Sequence, residues 1–333
     1  MVQARWMSLA ALLACAGVMA HAADARADWP DHAIKWIVPF SAGGANDLMA
    51  RAAAEGVSKR LGQPVVIENK PGAGAVVGTQ FVAKSKPDGY TFLIGAVGVV
   101  TNSMLQKNLP YEDRELTPVG MIAVAPSVIV ANPSLPASDL KGFIAWAKSQ
   151  GPASGGGVNW STAGSGSTPH FVAEMLKESG VDNLVIVPYK SGSEGVTAVL
   201  SGSVAATSEA SIVVLPYIKA GKLKALATTY DKRITAYPSL PTAIEQGYPA
   251  VRIGHWAGLF APAGTPPAII ERMNAELLAV VKSKEFADHL VPSGIEPAPY
   301  SLKDFIAFVN GERERLGRLA RAAGMKPELA RAR

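Results

Sequence analysis

Short apolar runs rich in β-branched residues alternate with helix-like segments along most of this chain of 333 residues. Apolar residues recur with the spacing of amphipathic helices at 48–61, 140–150, 170–179, 194–200 and 212–220. The predicted strands are IKWIV (34–38), VVIE (65–68), TFLIGA (91–96), VGMIAV (119–124), VIVA (128–131), VNWSTA (158–163), LVIV (184–187), VAAT (204–207), LKALATT (223–229) and WAGLFAP (256–262). This alternation is typical of α/β proteins, in which mainly parallel sheets are flanked by helices.

The alternation is too long for one sheet of ordinary size, which predicts two lobes. Strand patterns and proline turns run together at 124–133 and 242–256, and we expect the chain to cross between the lobes at these places. Residues 28–126 and 250–333 are therefore predicted to form lobe 1, and residues 127–249 lobe 2.

The first residues have the pattern of a secretory signal peptide. Arg5 precedes an apolar run that extends from Trp6 to Ala20, and an A-x-A site ends at Ala27. The run is too short for a membrane span, so we expect residues 1–27 to be cleaved and the mature protein to be periplasmic. LLAC, which ends at Cys15, offers a lipoprotein signal as an alternative. Lipid anchoring is less favoured because the apolar run continues past this cysteine.

The net charge and the cysteine count restrict the ligands and the types of site that this protein can be expected to have. The formal net charge is +5 at pH 7, and removal of Arg5, Arg26 and Asp24 with the signal peptide leaves +4. This excess suits anionic ligands but is too small to indicate a nucleic-acid partner. Cys15 is the only cysteine, so the mature chain has neither disulfides nor thiolate ligands for a metal.

Two glycine-rich loops follow predicted strands and precede predicted helices. PFSAGGANDLMAR (39–51) lacks both the Gly-Lys-Ser/Thr ending of a nucleotide-phosphate loop and the G-x-G-x-x-G spacing of a dinucleotide loop. WSTAGSGSTPHF (160–171) contains Thr168 and Pro169, predicted as N-cap and first-turn residue of the next helix. Such turns gather backbone N–H groups around an anion, although each could also be an ordinary helix start. Both are expected at the carboxyl ends of the strands, where ligands of α/β sheets bind.

Signatures of enzymes and cofactors are weak. Gly72, Gly74 and Gly78 resemble part of a dinucleotide loop, but the residues up to Pro71 separate them from the strand, so a structural turn is favoured. Ser165 or Ser167 with His170 would be a nucleophile and base without an orienting carboxylate. There is no G-x-S-x-G motif, and the histidines lack metal-ligand spacing. We therefore expect no catalysis, no metal and no cofactor.

The motifs together resemble one family, the periplasmic solute receptors of tripartite tricarboxylate transporters, also called Bug proteins. The resemblance covers residues 29–325. It is carried by WPDHAIKWIVPFSAGGANDLMAR, LGQPVVIENKPGAGAVVGTQFVAKSKPDGYTFLIG, AGSGSTPHF, VPYKSGSEGV, LPYIKAGKLKALATT, YPSLPTAIEQGYP and WAGLFAPAGTP. It implies a two-lobed, type II-like periplasmic binding fold in which each lobe is a mainly parallel sheet flanked by helices. The expected activity is capture of a small carboxylate, which a separate membrane permease then receives.

The resemblance also implies where the ligand binds, and loop amides such as those of Gly43, Gly44 and Gly166 are expected to hold its carboxylate. The implied contact residues are Phe40, Ser41, Ala42, Gly43, Gly44, Ala45, Asn46 and Asp47 in the first loop, Ser161, Thr162, Gly164, Ser165, Gly166, Ser167 and His170 in the second, and Tyr189 and Glu209 beyond them. A monomer is expected. Some members of the family act instead as sensors for two-component systems, and this alternative stays open.

At several positions the sequence departs from the family pattern, so the pattern does not identify the solute. Ala45-Asn46 replaces a common Pro-Thr pair, and Ser208-Glu209 stands where relatives often carry an aromatic residue and an aspartate. Trp160, and Trp256 with its neighbour, would favour an aromatic acid if they lie at the cleft, although tryptophans are more often core residues. An aliphatic or an aromatic carboxylate is therefore expected.

Overall fold

The computed structural model describes residues 29–151 and 157–329, so the predicted signal peptide and Cys15 lie outside the described residues. The strands are β1 (Ile34–Val38), β2 (Val65–Asn69), β3 (Thr91–Gly95), β4 (Gln106–Lys107), β5 (Leu116–Ala131), β6 (Val158–Thr162), β7 (Leu184–Pro188), β8 (Ala206–Ala210), β9 (Lys224–Thr228), β10 (Gly254–Pro262), β11 (Glu296–Pro297) and β12 (Glu328–Leu329). The helices are α1 (Ala45–Leu61), α2 (Val76–Ala83), α3 (Val97–Leu105), α4 (Leu140–Ser149), α5 (Thr168–Glu178), α6 (Gly192–Leu200), α7 (Ser211–Lys219), α8 (Pro267–Val281), α9 (Lys284–Leu290) and α10 (Leu302–Ala322).

The main sheet has the strand order β2-β1-β3-β10-β5-β8-β6-β7. Strands β2, β1 and β3 are parallel, and so are β7, β6 and β8, as the strand–helix alternation predicted. The strands between these two sets, β10 and β5, pair in antiparallel fashion with each other and with their outer neighbours. The prediction of an α/β fold is confirmed. Periodicity predicted strands in these segments but did not indicate that they run antiparallel.

Strand β5 corrects one prediction. The runs at 119–124 and 128–131 are not two strands but parts of a single strand of 16 residues. It pairs with β10 as far as Pro126 and with β8 and β9 from Ser127 onward. Pro126 is tolerated because it lies where β5 changes its partner strand. Its missing N–H therefore removes few hydrogen bonds from the pairing with either partner. One continuous strand therefore serves both halves of the sheet.

Helix α10 contains much of the basic C-terminal segment and packs against both α3 and α5. Phe305 and Leu316 on its inner face are buried, whereas Arg318 on its outer face is exposed and pairs with Glu314. The helix is therefore amphipathic, with its charges largely on the solvent side. Across residues 29–151 and 157–329, we find no helix that combines the length and the apolar character needed to cross a membrane.

Candidate functional site

The first predicted loop connects β1 to α1. Helix α1 begins at Ala45, three residues earlier than periodicity predicted, so Asn46 and Asp47 belong to its first turn. The four residues before it, 41–44, are exposed. Gly43 has φ +81°, a backbone conformation that would strain any residue with a side chain. The space around it is open, since a Cβ at this position would have no other atom within 4 Å. The loop is therefore an open turn before a helix N-terminus.

Asp47 holds this loop in place. Its carboxylate accepts hydrogen bonds from the Gly43 N–H, Arg51 Nε and Asn69 Nδ2, each at 2.9 Å, and the residue is only 2% exposed. Burial raises the pKa of this carboxyl, but the bonds from Arg51, Gly43 and Asn69 outweigh it and keep the pKa below its ordinary value. Because both oxygens are engaged, Asp47 positions the loop. Asn69 was not among the predicted site residues, although its position at the end of β2 was an available signal.

Asn46 ties the same turn to the centre of the sheet. Its Nδ2 donates to the backbone oxygen of Trp256 in β10, at 3.1 Å. The loop is thus fastened both to Asn69 at the end of β2 and to β10, one of the two antiparallel strands that join the halves of the sheet.

The second loop connects β6 to α5 and corrects the predicted helix start. Ser167, not Thr168, is the N-cap residue, with extended backbone angles of φ −72° and ψ 158°. Its hydroxyl donates to the Gly164 oxygen at 2.7 Å instead of accepting from the helix. Gly164 and Gly166 have φ values of +96° and +74°, so both glycines supply left-handed conformations that the turn requires.

His170 accepts a hydrogen bond from within this loop. The Gly166 N–H donates to its Nδ1 at 3.1 Å, and its Nε2 lies 3.7 Å from a carboxylate oxygen of Glu174. Burial raises the pKa of Glu174, but His170 and Lys177 outweigh burial and lower it. Among the described residues neither Ser165 nor Ser167 bonds to His170, and the Ser167 hydroxyl donates to the Gly164 oxygen instead.

The internal bonds change the expected anion cradle. Of the three amides predicted to hold a carboxylate, Gly43 donates to Asp47 and Gly166 donates to His170. The Gly44 N–H has no hydrogen-bond acceptor among the described residues. A ligand at the two loops would therefore use the helix-start amides or displace these internal acceptors.

Three helices that follow strands of the main sheet begin without a side-chain cap. Helices α1, α3 and α5 follow β1, β3 and β6, and within the described ranges their starts have no side-chain cap. By contrast, Ser191 caps α6, which follows β7 at the same edge, and Asp139, Ser283 and Ser301 cap α4, α9 and α10. Uncapped first turns leave backbone N–H groups unpaired at the positive end of the helix dipole. The edge can therefore accept anions at several points.

Of the remaining residues considered from the sequence, Tyr189 lies beside the second loop, whereas Ser161 and Trp160 are buried. Tyr189 is half-buried at the end of β7, and its N–H donates to the Thr162 oxygen at 2.8 Å, which places it beside the second loop. Ser161 is fully buried, and its hydroxyl donates to the Gly195 oxygen of α6. Trp160 is a core residue whose Nε1 donates to the Pro169 oxygen, so it does not line the loop.

Glu209 lies near the end of β8, where β5 changes partner. Its Oε1 accepts from the Ala210 N–H at 2.8 Å and lies 3.5 Å from Nε2 of His255 in β10. Burial lowers the pKa of His255, although the charge of Glu209 opposes this. The pair therefore joins strands from the two halves of the sheet.

The glycines at 72–78 form a turn, in keeping with the structural interpretation. Ala73 and Ala75 share positive φ values with Gly74, and the left-handed run ends where α2 begins. A Cβ at Gly78 would lie 2.9 Å from the Lys70 oxygen, so this glycine permits close packing of α2. No tight strand–turn–helix geometry of a dinucleotide loop is present in this described segment.

Two surface cavities lie outside the loops. Ser103, Gln106, Leu109, Tyr111, Glu112, Asp113 and Arg114 line one of about 460 Å³. Met175, Glu178, Pro249, Ala250, Arg252, Arg315, Arg318, Leu319 and Ala322 line the other, of about 550 Å³. Neither lining contains a residue predicted to contact the ligand.

Comparison with known proteins agrees with the geometry. Residues 49–325 match the model of the tripartite tricarboxylate transporter family receptor. Protein BugT of Bordetella pertussis is 35% identical over 328 residues, which cover 96% of this chain and 99% of BugT. The periplasmic binding protein BugD has a TM-score of 0.77 and 31% identity, over 90% of this chain and 100% of BugD. R. palustris Rpa4515, solved with adipate, has a TM-score of 0.80 and 31% identity, over 90% of this chain and 100% of Rpa4515.

These matches confirm the two-lobed periplasmic binding fold predicted from the sequence. The family-model match spans residues 49–325, which include the second glycine-rich loop, and the structural match with Rpa4515 covers 90% of this chain. The family is one of solute-binding proteins rather than enzymes, and its proteins are periplasmic. The chain belongs to the receptor family of tripartite tricarboxylate transporters.

Proposed function

We propose that this protein is a periplasmic receptor that captures a small carboxylate and delivers it to the membrane permease of a tripartite tricarboxylate transporter. The observation that carries the proposal is the pair of uncapped helix starts, those of α1 and α5, at the carboxyl ends of β1 and β6. Their loops, 39–47 and 161–170, would grip the carboxylate from opposite lobes. The family membership and the adipate bound to Rpa4515 support this ligand class.

Backbone donors alone can hold the anion. A carboxylate that enters the cleft loses water, so its oxygens need replacement hydrogen bonds. Bonds to a charged acceptor contribute roughly 1.5–3 kcal/mol each, and a few of them support micromolar binding after the ordering cost. The amides of Gly44 and of the first turns of α1 and α5 would supply these donors. Gly43 and Gly166 would join them if the ligand displaces Asp47 and His170.

Closure follows from contacts that exist only when both lobes meet the ligand. We assign residues 28–126 and 250–333 to one lobe and 127–249 to the other. A ligand stabilises the closed form by its differential affinity for that form over the open one. The permease would then recognise the closed, loaded receptor, which residues 1–27 direct to the periplasm before cleavage.

The first experiment is a thermal-shift screen of the mature chain, residues 28–333, against mono-, di- and tricarboxylic acids and aromatic acids. A ligand that binds the native state raises the melting temperature by mass action. Calorimetric titration then gives the affinity of each acid that raises it. If no acid raises the melting temperature, the proposed ligand class is wrong.

The loop is tested with Gly43→Val and a matched control, Gly62→Val. These glycines flank the two ends of α1, have φ values of +81° and +69°, and have no atom within 4 Å of a built Cβ. Both substitutions therefore impose similar backbone strain, but only the first fills the proposed cradle. We expect Gly43→Val to abolish binding and Gly62→Val to retain it. Wild-type affinity in Gly43→Val would refute the role of this loop.

A further inference from the structure

Glu209 has one engaged and one unengaged carboxylate oxygen. Oε1 accepts from the Ala210 N–H, whereas no described residue donates a hydrogen bond to Oε2. Oε2 lies against Gly192, the first residue of α6, so closely that a Cβ on that glycine would be 1.6 Å from it. The N-terminus of α6 favours a negative charge at this point. Glu209 is therefore a fixed acidic group with a spare acceptor.

No cation neutralises this carboxylate within the described chain. Its ion-pair partner there is His255, at 3.5 Å, and burial disfavours the charged form of that imidazole. His255 Nε2 has no hydrogen-bond partner among the described residues. The Glu209 and His255 side chains are 11% and 17% exposed, so solvent screens the charge only in part.

A chain of contacts through β10 connects the acidic group to the first loop. Ala210 pairs with Ser127 of β5, His255 pairs with Ala125 two residues earlier on the same strand, and Glu209 directly precedes Ala210. Trp256, next to His255, accepts the hydrogen bond from Asn46 in the first turn of α1. Two adjacent residues of β10 thus contact the proposed carboxylate cradle on one side and Glu209 on the other.

From this arrangement we propose that Glu209 makes the receptor selective for carboxylic acids that carry a hydroxyl or amino group at the far end. The inference rests on the proposed function. A ligand held by its carboxylate at the loops would direct its other end toward Oε2, which accepts from a hydroxyl or an ammonium group. A second carboxylate would meet a like charge in a partly desolvated cleft and would be disfavoured.

The test is calorimetric titration with two series of straight-chain acids that differ only at the far end. The first series is butyrate, 4-hydroxybutyrate, 4-aminobutyrate and succinate, and the second is hexanoate, 6-hydroxyhexanoate, 6-aminohexanoate and adipate. We expect the hydroxy or amino acid to bind the wild type about tenfold or more tightly than both the diacid and the unsubstituted acid of its series.

Glu209→Gln is the diagnostic variant because its amide keeps an oxygen for the Ala210 N–H and presents a donor in place of Oε2. We expect it to lose about tenfold or more in affinity for the amino acid and to gain affinity for the diacid. Glu178→Gln is the control, since it removes one exposed acidic group from outside the cleft. It should retain the wild-type order, and equal melting temperatures would exclude misfolding.

Three results would overturn the inference: tightest wild-type binding of a diacid or unsubstituted acid, an unchanged order in Glu209→Gln, or no binding of any of the eight acids. The first two leave the proposed function intact if Gly43→Val abolishes the binding that is seen. The proposed function itself fails only if the broader carboxylate screen also finds no ligand.

Discussion

Gly166 packs against Leu105 so closely that a Cβ on the glycine would lie 2.8 Å from Leu105 Cδ1. The glycine belongs to the loop after β6, and the leucine ends α3, which follows β3 on the other half of the sheet. The two halves therefore touch at a residue that the resemblance assigns to the ligand. Neither the motif nor the periodicity had pointed to Leu105.

This contact predicts that Gly166→Ala weakens ligand binding. Alanine would be strained at φ +74° and would push against Leu105, so the second loop would move away from α3. We expect a loss of about tenfold or more in affinity for an acid found in the screen, measured by calorimetric titration.

Gly221→Ala is the control for backbone strain without a side-chain clash. Gly221 has φ +69°, but a Cβ at this position would have no other atom within 4 Å. Both variants should lose about 1–3 kcal/mol of unfolding free energy. If Gly221→Ala reduces the affinity as much as Gly166→Ala does, general destabilisation explains the effect and the contact with Leu105 does not.

A second prediction concerns the buried carboxylate of the first loop. Asp47→Ala removes the acceptor of the Gly43 N–H and of Asn69 Nδ2, and we expect a loss of about 2–3 kcal/mol in unfolding free energy. Arg51→Gln removes only a half-exposed partner and should cost less than about 1 kcal/mol. Urea denaturation measures both. Similar losses would mean that the ion pair, rather than the buried hydrogen bonds, stabilises the loop.

Local signals were sufficient for much of this fold. The first loop was placed correctly between β1 and α1 by the run IKWIV, the two glycines and the following helical pattern. Each of these signals depends only on residues that are adjacent in the chain. The start of α1 was predicted three residues late because Ala45, Asn46 and Asp47 break the apolar spacing. Asp47 is nevertheless buried, because Asn69 and Arg51 satisfy its charge from outside that pattern.

Long-range relationships were beyond the sequence pattern. Pro126 suggested an interruption, yet β5 continues because its partners change there. Thr168 was the expected N-cap since it precedes Pro169, but Ser167 takes that position while its hydroxyl bonds to Gly164. The pairing of Glu209 with the histidine of β10 depends on strand order, which spacing along the chain does not encode.

A third prediction is a loss of stability in acid. The pKa values of Asp47 and Glu174 lie below their ordinary values of 3.8 and 4.5 in the folded chain. The unfolded chain therefore takes up protons first as the pH falls, and stability declines from about pH 5 downward until the folded groups are protonated as well. Urea denaturation between pH 7 and pH 3 measures this decline. Asp47→Ala should flatten the slope, and an equal slope in wild type and variant would contradict the role of Asp47.

The last prediction concerns the pH dependence of ligand affinity. If backbone amides hold an ionised carboxylate, the protonated acid should bind poorly, because its neutral group loses the charge-assisted bonds. Affinity for a monocarboxylic acid should then be constant above the ligand's pKa and fall about tenfold for each pH unit below it. Titrations with two acids of different pKa separate this effect from titration of the protein, since the onset should move with the ligand. A common onset for both acids would show instead that a group of the receptor controls binding.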